Sequence, residues 1–357
     1  TFASLIGSAS FSKHACARCA DNCEIAGAPR YFLLWSGQLY SIANTPKTEE
    51  KLVLYVDMNL LEFQRKYSDE EACLQAIFAS RWPRGYVCPY CGHNDGHRVH
   101  TRRSMQCCLC RKQSSITAGT IFEQSHIPLT VWFLMIFFVA QDKGGGSAMK
   151  FSKQLGMCRN TASFMLRKIR SALSARDETL TLAGFIEFDE ALFGSRSKSK
   201  RVGKPPSTGK KYVLVLVENE GVRAGNLVMK VVDSPMYEDL KPVVAEKVES
   251  DPPGQWMVAD GWGSHHVALE LGHKLRMGHI PNDLQDKVLR CVSLAVSHAR
   301  RFFKGTYHHY CKKYLQMFLD EFCYRWNRRH LEMQLASHAI VACAFQKPYR
   351  RRVPKAA

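Results

Sequence analysis

The chain has 357 residues, 46% of them hydrophobic, and carries 50 Lys and Arg against 32 Asp and Glu, a formal charge of +18. That apolar share excludes a disordered tail and leaves room for two or three domains, while the basic excess points to a polyanionic partner, because each cation set on a phosphate releases condensed counterions. Fourteen cysteines in a chain of this length, several of them single in apolar runs, speak against a secreted disulfide scaffold and for a reduced, metal-binding, cytoplasmic protein. The most apolar run, 131–140, is too short to cross a bilayer of about 30 Å.

Residues 1–57 show no sustained period of 2 or 3.6, and Cys16, Cys19 and Cys23 have no matching pair nearby. The stretch reads as an unassigned leader, with Met58 the candidate start. A helical segment over 58–82 follows, in which Asp69, Glu70 and Glu71 put acid into a first helical turn. Within 83–125, Cys88 and Cys91 form one Cys-x-x-Cys turn and Cys107 and Cys110 another. Each turn lets two thiolates face one tetrahedral ion, and the separation suits a hairpin, so a zinc ribbon with structural Zn²⁺ on Cys88, Cys91, Cys107 and Cys110 is expected. Cys108 is the spare. A closed site of four cysteines has no open coordination position, which assigns it to folding and DNA contact rather than catalysis.

Over 126–176 a helix apolar on nearly all sides is broken at Gly144, Gly145 and Gly146. Helices over 147–155 and 160–173 then flank Gly156, with Arg159, Arg167, Lys168 and Arg170 on the polar side of the last. Helix, glycine turn, basic helix predicts a helix-turn-helix-like DNA-binding region. From 184 to 330 the pattern changes to strands over 185–188, 212–217 and 227–232, a helix over 235–250 and a strand over 255–260. Asp189 stands at the end of the first strand and Asp260 at the end of the fourth, so both reach one sheet edge, as a site for Mg²⁺ or Mn²⁺ requires. Strand alternation turns Glu190 to the opposite face from Asp189 and lets Glu187 line the edge of the site. The loop over 195–211 offers Lys198, Lys200, Arg201, Lys210 and Lys211 to DNA phosphates, or is a solvated linker. Helices over 287–304 and 312–328 follow, the second with Leu315, Phe318, Leu319, Phe322 and Trp326 as its core side and Glu321 in a surface salt bridge or, as the runner-up, a further carboxylate for the metal site. Residues 331–357 read as a basic tail. The fold class is α/β: an N-terminal zinc ribbon and helix-turn-helix-like region, then an RNase H-like mixed-sheet catalytic domain.

From about Met58 to Arg329 the text resembles the bacterial insertion-sequence transposases that join a zinc ribbon to a DDE-type catalytic domain. The strings that carry it are MNLLEFQRKYSDEEAC, the RWPRGYVCPYCG run, QCCLCRKQ with SITAGTIF, SKQLG, FDEALFG, ADGWG, and GTYHH with YLQMFLDEFCYRWNRR. The resemblance implies metal-dependent cleavage at insertion-sequence ends and strand transfer into target DNA, with Asp189 and Asp260 as the two catalytic aspartates. It places the third catalytic position at Ser297-His298-Ala299-Arg300, where asparagine and lysine are expected and His298 and Arg300 stand. Imidazole is a poor partner for Mg²⁺, so an impaired copy is implied. The resemblance further implies a homo-oligomer in the complex with DNA ends and action at the bacterial nucleoid. Two alternatives stay open: a nuclease of the same fold, and a zinc-dependent DNA-binding protein with a vestigial active site.

Overall fold

Asn59 and Asp69 start the first two helices. Asn59 Oδ1 accepts hydrogen bonds from the backbone N–H groups of Leu61 and Glu62 at 2.9 and 3.0 Å, and the Glu62 carboxylate accepts from the Asn59 N–H, a reciprocal cap on α1 (Leu60–Lys66). Asp69 caps α2 (Glu70–Arg81) through the Ala72 N–H. The computed structural model describes residues 32–35, 38–41, 58–194, 210–249, 256–278, 288–307 and 312–347. The chain divides into two units, Thr1–Glu50 and Lys51–Ala357. In the first, β1 (Phe32–Trp35) and β2 (Gln38–Ser41) pair antiparallel, and the rest of the expected leader over 1–57 falls outside the described residues.

In the second unit β3 (Gly96–Val99), β4 (Ser104–Cys107) and β5 (Gln113–Ser115) form an antiparallel sheet. The apolar run becomes α3 (Leu129–Gln141), which buries Trp132, Phe133, Ile136 and Val139. After it come α4 (Ala148–Gln154), a turn at Gly156 with φ +64°, and α5 (Arg159–Arg176). One core joins Phe63, Leu74, Ile77, Trp132, Ile136 and Ile169.

The catalytic-type sheet holds β6 (Phe185–Phe193), β7 (Lys211–Asn219), β8 (Ala224–Val232), β9 (Trp256–Ala259) and β10 (Lys274–Met277), in the order β10-β9-β6-β7-β8. β6, β7 and β8 are antiparallel neighbours, β9 runs parallel to β6, and β10 parallel to β9. A three-strand meander with two further strands added in parallel beside the first is the RNase H-like arrangement. α6 (Tyr237–Lys247) and the short α7 (Val267–Glu270) belong to one side, with Ile186, Phe188, Leu214 and Leu216 in their core. On the other side α8 (Arg290–Thr306) and α9 (Leu315–Asn327) pack with Ala191, Phe193, Val213 and Val215.

Two features differ from the sequence expectation. β10 is too short and too polar to show a period, and it forms because β9 offers it a parallel edge. The expected tail contains α10 (Leu335–Phe345), whose Leu335, Ala336, Ala339, Ile340 and Cys343 are buried against α2, α3 and α5. An apolar helix without a polar stripe has no face to read from sequence, and it closes the N-terminal core from the far end of the chain. Among the described residues no helix is long and apolar enough to cross a membrane.

Candidate active site and zinc centre

Parallel pairing brings the two aspartates together. Glu187 stands opposite Val258 across β6 and β9, so two residues further on Asp189, which lies in the middle of β6 and not at the end of a strand over 185–188 as the sequence suggests, comes beside Asp260, just past the end of β9. Ala191 and Phe193, which share the parity of Asp189, pack with Val292, Ala295 and Phe303, so Asp189 faces α8. Burial and then the like charge of Asp260 push the Asp189 carboxyl up to about 6, although the Glu190 N–H donates to its Oδ1 at 2.7 Å. Asp260 Oδ1 accepts from the Trp262 N–H at 3.2 Å, a turn that holds its carboxylate at the strand end. Two neighbouring carboxylates, one of them costly to ionise without a counter-charge, suit a divalent cation.

Beside them, between Asp260 and Glu190, sits His265, which sequence reasoning missed. Its ring is fully buried, with Nδ1 2.8 Å from Asp260 Oδ1 and Nε2 3.0 Å from Glu190 Oε1, and an edge of it meets the Phe188 ring. Burial favours the neutral ring, but Glu190 and Asp260 outweigh it and push the His265 pKa up. Asp189, Glu190 and His265 offer ligand atoms that all lie within 4.8 Å of one another. Alternation separates the Cβ directions of Asp189 and Glu190, yet the longer glutamate arm still reaches the shared histidine, so Glu190 belongs to the cluster. Glu187 does not line an open edge. It is fully buried and accepts from Asn219 Nδ2 at 2.6 Å and from the N–H groups of Cys291 and Val292 at 2.7 and 3.1 Å. It therefore fastens the start of α8 to the strand that carries Asp189.

The second cluster is built from two matching turns. Gly92 N–H donates to the Cys88 carbonyl at 2.9 Å and Arg111 N–H to the Cys107 carbonyl at 3.1 Å, with φ of +73° at Gly92 and +57° at Arg111. The turns set Cys88 Sγ 3.6 Å from Cys110 Sγ and Cys91 Sγ 3.6 Å from Cys107 Sγ. Four sulfurs about 2.3 Å from a central ion lie at nearly that separation along the edges of a tetrahedron, so these residues fit Zn²⁺. Burial pushes the Cys88 thiol up, but backbone N–H groups of Tyr90 and Cys91 outweigh it and hold it at about 6. The His93 N–H favours the Cys91 thiolate, yet burial and the neighbouring sulfurs push that thiol up to about 12. Cys108 is exposed and stands outside the cluster.

Residues 181–327 match the family described as ISXO2-like transposase domain, and residues 68–113 match the transposase zinc-ribbon domain. The chain belongs to the zinc-ribbon plus DDE insertion-sequence transposases. Among solved structures it is similar to the Mos1 mariner paired end complex with Mn, at 14% identity and a TM-score of 0.22, over 61% of this chain and 89% of that one. So low a score does not bear on the site; the RNase H-like assignment rests on the strand order. No curated protein matches.

In this transposase His298 does not join the aspartates. Its ring meets the Trp326 ring edge-on with centroids 5.6 Å apart, and Trp326 Nε1 donates to the Gly225 carbonyl on β8. His298 therefore looks along α8 toward α9 and β8, away from β9 and Asp260. Arg300, two residues on and turned by roughly 200°, is exposed on the opposite flank. Glu321 is not at the surface: it is fully buried and pairs with the equally buried Arg170, Nε to Oε2 2.5 Å, while Arg170 Nη2 donates to Tyr307 Oη at 2.8 Å. Lys168 is also buried, its Nζ donating to the Ile121 carbonyl at 2.7 Å. Neither Lys168 nor Arg170 is available to DNA. Arg159 is exposed at the start of α5, and the Arg167 guanidinium lies 5.0 Å from the centre of the Tyr314 ring. Lys211 pairs with Asp233 at 2.7 Å and Lys210 is half-buried, whereas Lys198, Lys200 and Arg201 lie outside the described residues.

Proposed function

We propose that this transposase cuts phosphodiester bonds at the ends of its insertion sequence and joins the freed 3′-hydroxyl to target DNA, at the sheet edge formed by Asp189 and Asp260. The observation that supports the reading is the pairing of Asp189 on β6 with Asp260 just past the parallel β9, where burial and then the like charge raise the Asp189 pKa. Asp189 and Asp260 would hold Mg²⁺ or Mn²⁺, with Glu190, within 4.8 Å of Asp189, as the further ligand in place of His298. When bound, such ions activate the attacking hydroxyl and stabilise the leaving oxygen of an in-line displacement. His265 keeps Asp260 and Glu190 turned toward each other, and Glu187 fixes α8 beside the site. The ribbon, held by Zn²⁺ on its four cysteines, and Arg159 at the start of α5 grip terminal-repeat DNA. Lys198, Lys200, Arg201, Lys210 and Lys211 lie in or beside the loop after β6 and contact backbone phosphates, with Arg167 in support. Two ends brought together call for a homo-oligomer acting at the nucleoid in the cytoplasm.

The test is nicking of supercoiled plasmid by the full chain in Mn²⁺ and in Mg²⁺. Asp189→Ala and Asp260→Ala are expected to abolish nicking, Glu190→Gln to weaken it, and His298→Ala to retain it. Nicking that vanishes with His298→Ala would restore histidine to the third position. A parent chain that binds DNA but leaves plasmid intact under both metals would leave a zinc-dependent DNA-binding protein, and cutting without joining to a second DNA would leave a nuclease.

A further inference from the structure

The flank of α8 that carries His298 opens into a cavity of about 890 Å³, bounded by the end of α3, the turn between β7 and β8, α9 and the segment before α10. Its cationic lining is Lys143, Arg223, Arg290, Arg325, Arg328 and Arg329, against a single lining carboxylate, Glu332. Arg328 is neutralised by Asp177 at 2.6 Å. Three others are held differently. Arg290 donates to the carbonyls of Gly221 and Val222, both at 2.9 Å. Arg325 donates to those of Val139, Asp142 and Lys143, and Arg329 to those of Ala224, Gly225 and Trp326. Main-chain carbonyls orient a guanidinium without cancelling its charge. The buried Nε of Arg325 has no hydrogen-bond partner among the described residues. The wall between these cations presents the exposed His298 ring and Leu294, backed by Phe322 and Trp326, which are buried, with the Arg329 guanidinium 4.9 Å from the centre of the Trp326 ring.

From this lining we infer that the cavity binds unpaired nucleotides of a single DNA strand. The inference rests on the DNA-processing reading given above. Arginines without carboxylate partners suit phosphates, and the aromatic wall suits base faces, which are free only where the bases are unpaired. A duplex turns its phosphates outward and its bases inward, so it cannot bring both to the rim and wall of one pocket. The volume lies within the range of pockets that enclose small organic molecules, enough for stacked bases and too small for a helix of DNA. The position, across α8 from Asp189 and Asp260, would take a strand that leaves the cutting edge. It also gives His298 a place in the molecule that metal coordination does not.

Fluorescence anisotropy of the full chain at fixed ionic strength, with a labelled 12-nucleotide oligo-dT and a labelled 12-base-pair duplex, tests this. Leu294→Glu puts a charge on the wall and Arg223→Glu reverses one on the rim, while Lys66→Glu on α1 controls for net charge. Each cavity variant is expected to bind oligo-dT about tenfold more weakly, with duplex affinity within about threefold of the parent, and Lys66→Glu to lose both equally and slightly. Circular dichroism confirms folding, and His298→Ala, a truncation at a half-open position, serves if either glutamate disturbs it. The inference is overturned if the parent does not bind oligo-dT, if the cavity variants bind it as the parent does, or if they lose strand and duplex to the same extent. Plasmid nicking reports separately: no nicking with cavity-dependent strand binding removes the cleavage reading and leaves the cavity standing.

Discussion

Asp189 is costly to keep charged, and that cost has a measurable sign. Its folded pKa of about 6 lies above the unfolded value of about 3.9, so the folded state binds more protons than the unfolded one between those values. Stability attributable to this group is therefore greatest below pH 4 and is lost as pH rises through 6. Asp189→Asn is expected to raise the metal-free protein's stability at pH 7.5 by on the order of 1–3 kcal/mol, and to have little effect at pH 4. Urea denaturation at the two pH values checks it. Asp260→Asn removes the neighbouring charge and should bring the Asp189 titration down, read by carboxyl carbon NMR. The aspartates are legible in sequence because each follows a short apolar run, although β6 continues past Asp189 to Phe193. His265 is not, since four residues separate it from Asp260 and only the fold places its second nitrogen on Glu190.

At the scale of elements, one device fastens the halves of the main unit and another holds a local fold. Arg170 on α5 reaches Glu321 on α9 and Tyr307 just past α8, so the helix-turn-helix-like region is tied to the catalytic sheet through a buried ion pair. Glu321→Ala leaves a guanidinium without its counter-charge and is expected to cost about 3–5 kcal/mol, whereas Arg170→Met with Glu321→Leu should recover most of that in equilibrium unfolding. The zinc ribbon is the other. Metal analysis of the purified chain should find one Zn²⁺, lost in Cys107→Ser and kept in Cys108→Ser, and chelation should unfold the ribbon ahead of the sheet. The Cys-x-x-Cys spacing announces the ribbon without any tertiary information, because the two turns are local. Glu321 misleads for the opposite reason: an acid on an amphipathic helix looks solvated until the helix that buries it is known.

The whole molecule carries +18, and its DNA affinity should fall steeply with salt. A footprint of six phosphates predicts about a thousandfold loss between 50 and 200 mM salt, and a flat salt profile would speak against a backbone-gripping surface. The sequence by itself determined the parts that depend on neighbours in the chain: the ribbon cysteines, the acid-rich start of the helix after Asp69, four of the five strands of the larger sheet and the two aspartates that follow apolar runs. Only the tertiary structure decided what depends on residues far apart. It returned α10 to the N-terminal core, put Glu187 under the start of α8, buried Arg170 with Glu321, and turned His298 from the metal toward Trp326. Local periodicity says which face of a helix is apolar, but the rotation of that helix against its neighbours is set by packing among side chains that meet only after the chain has folded.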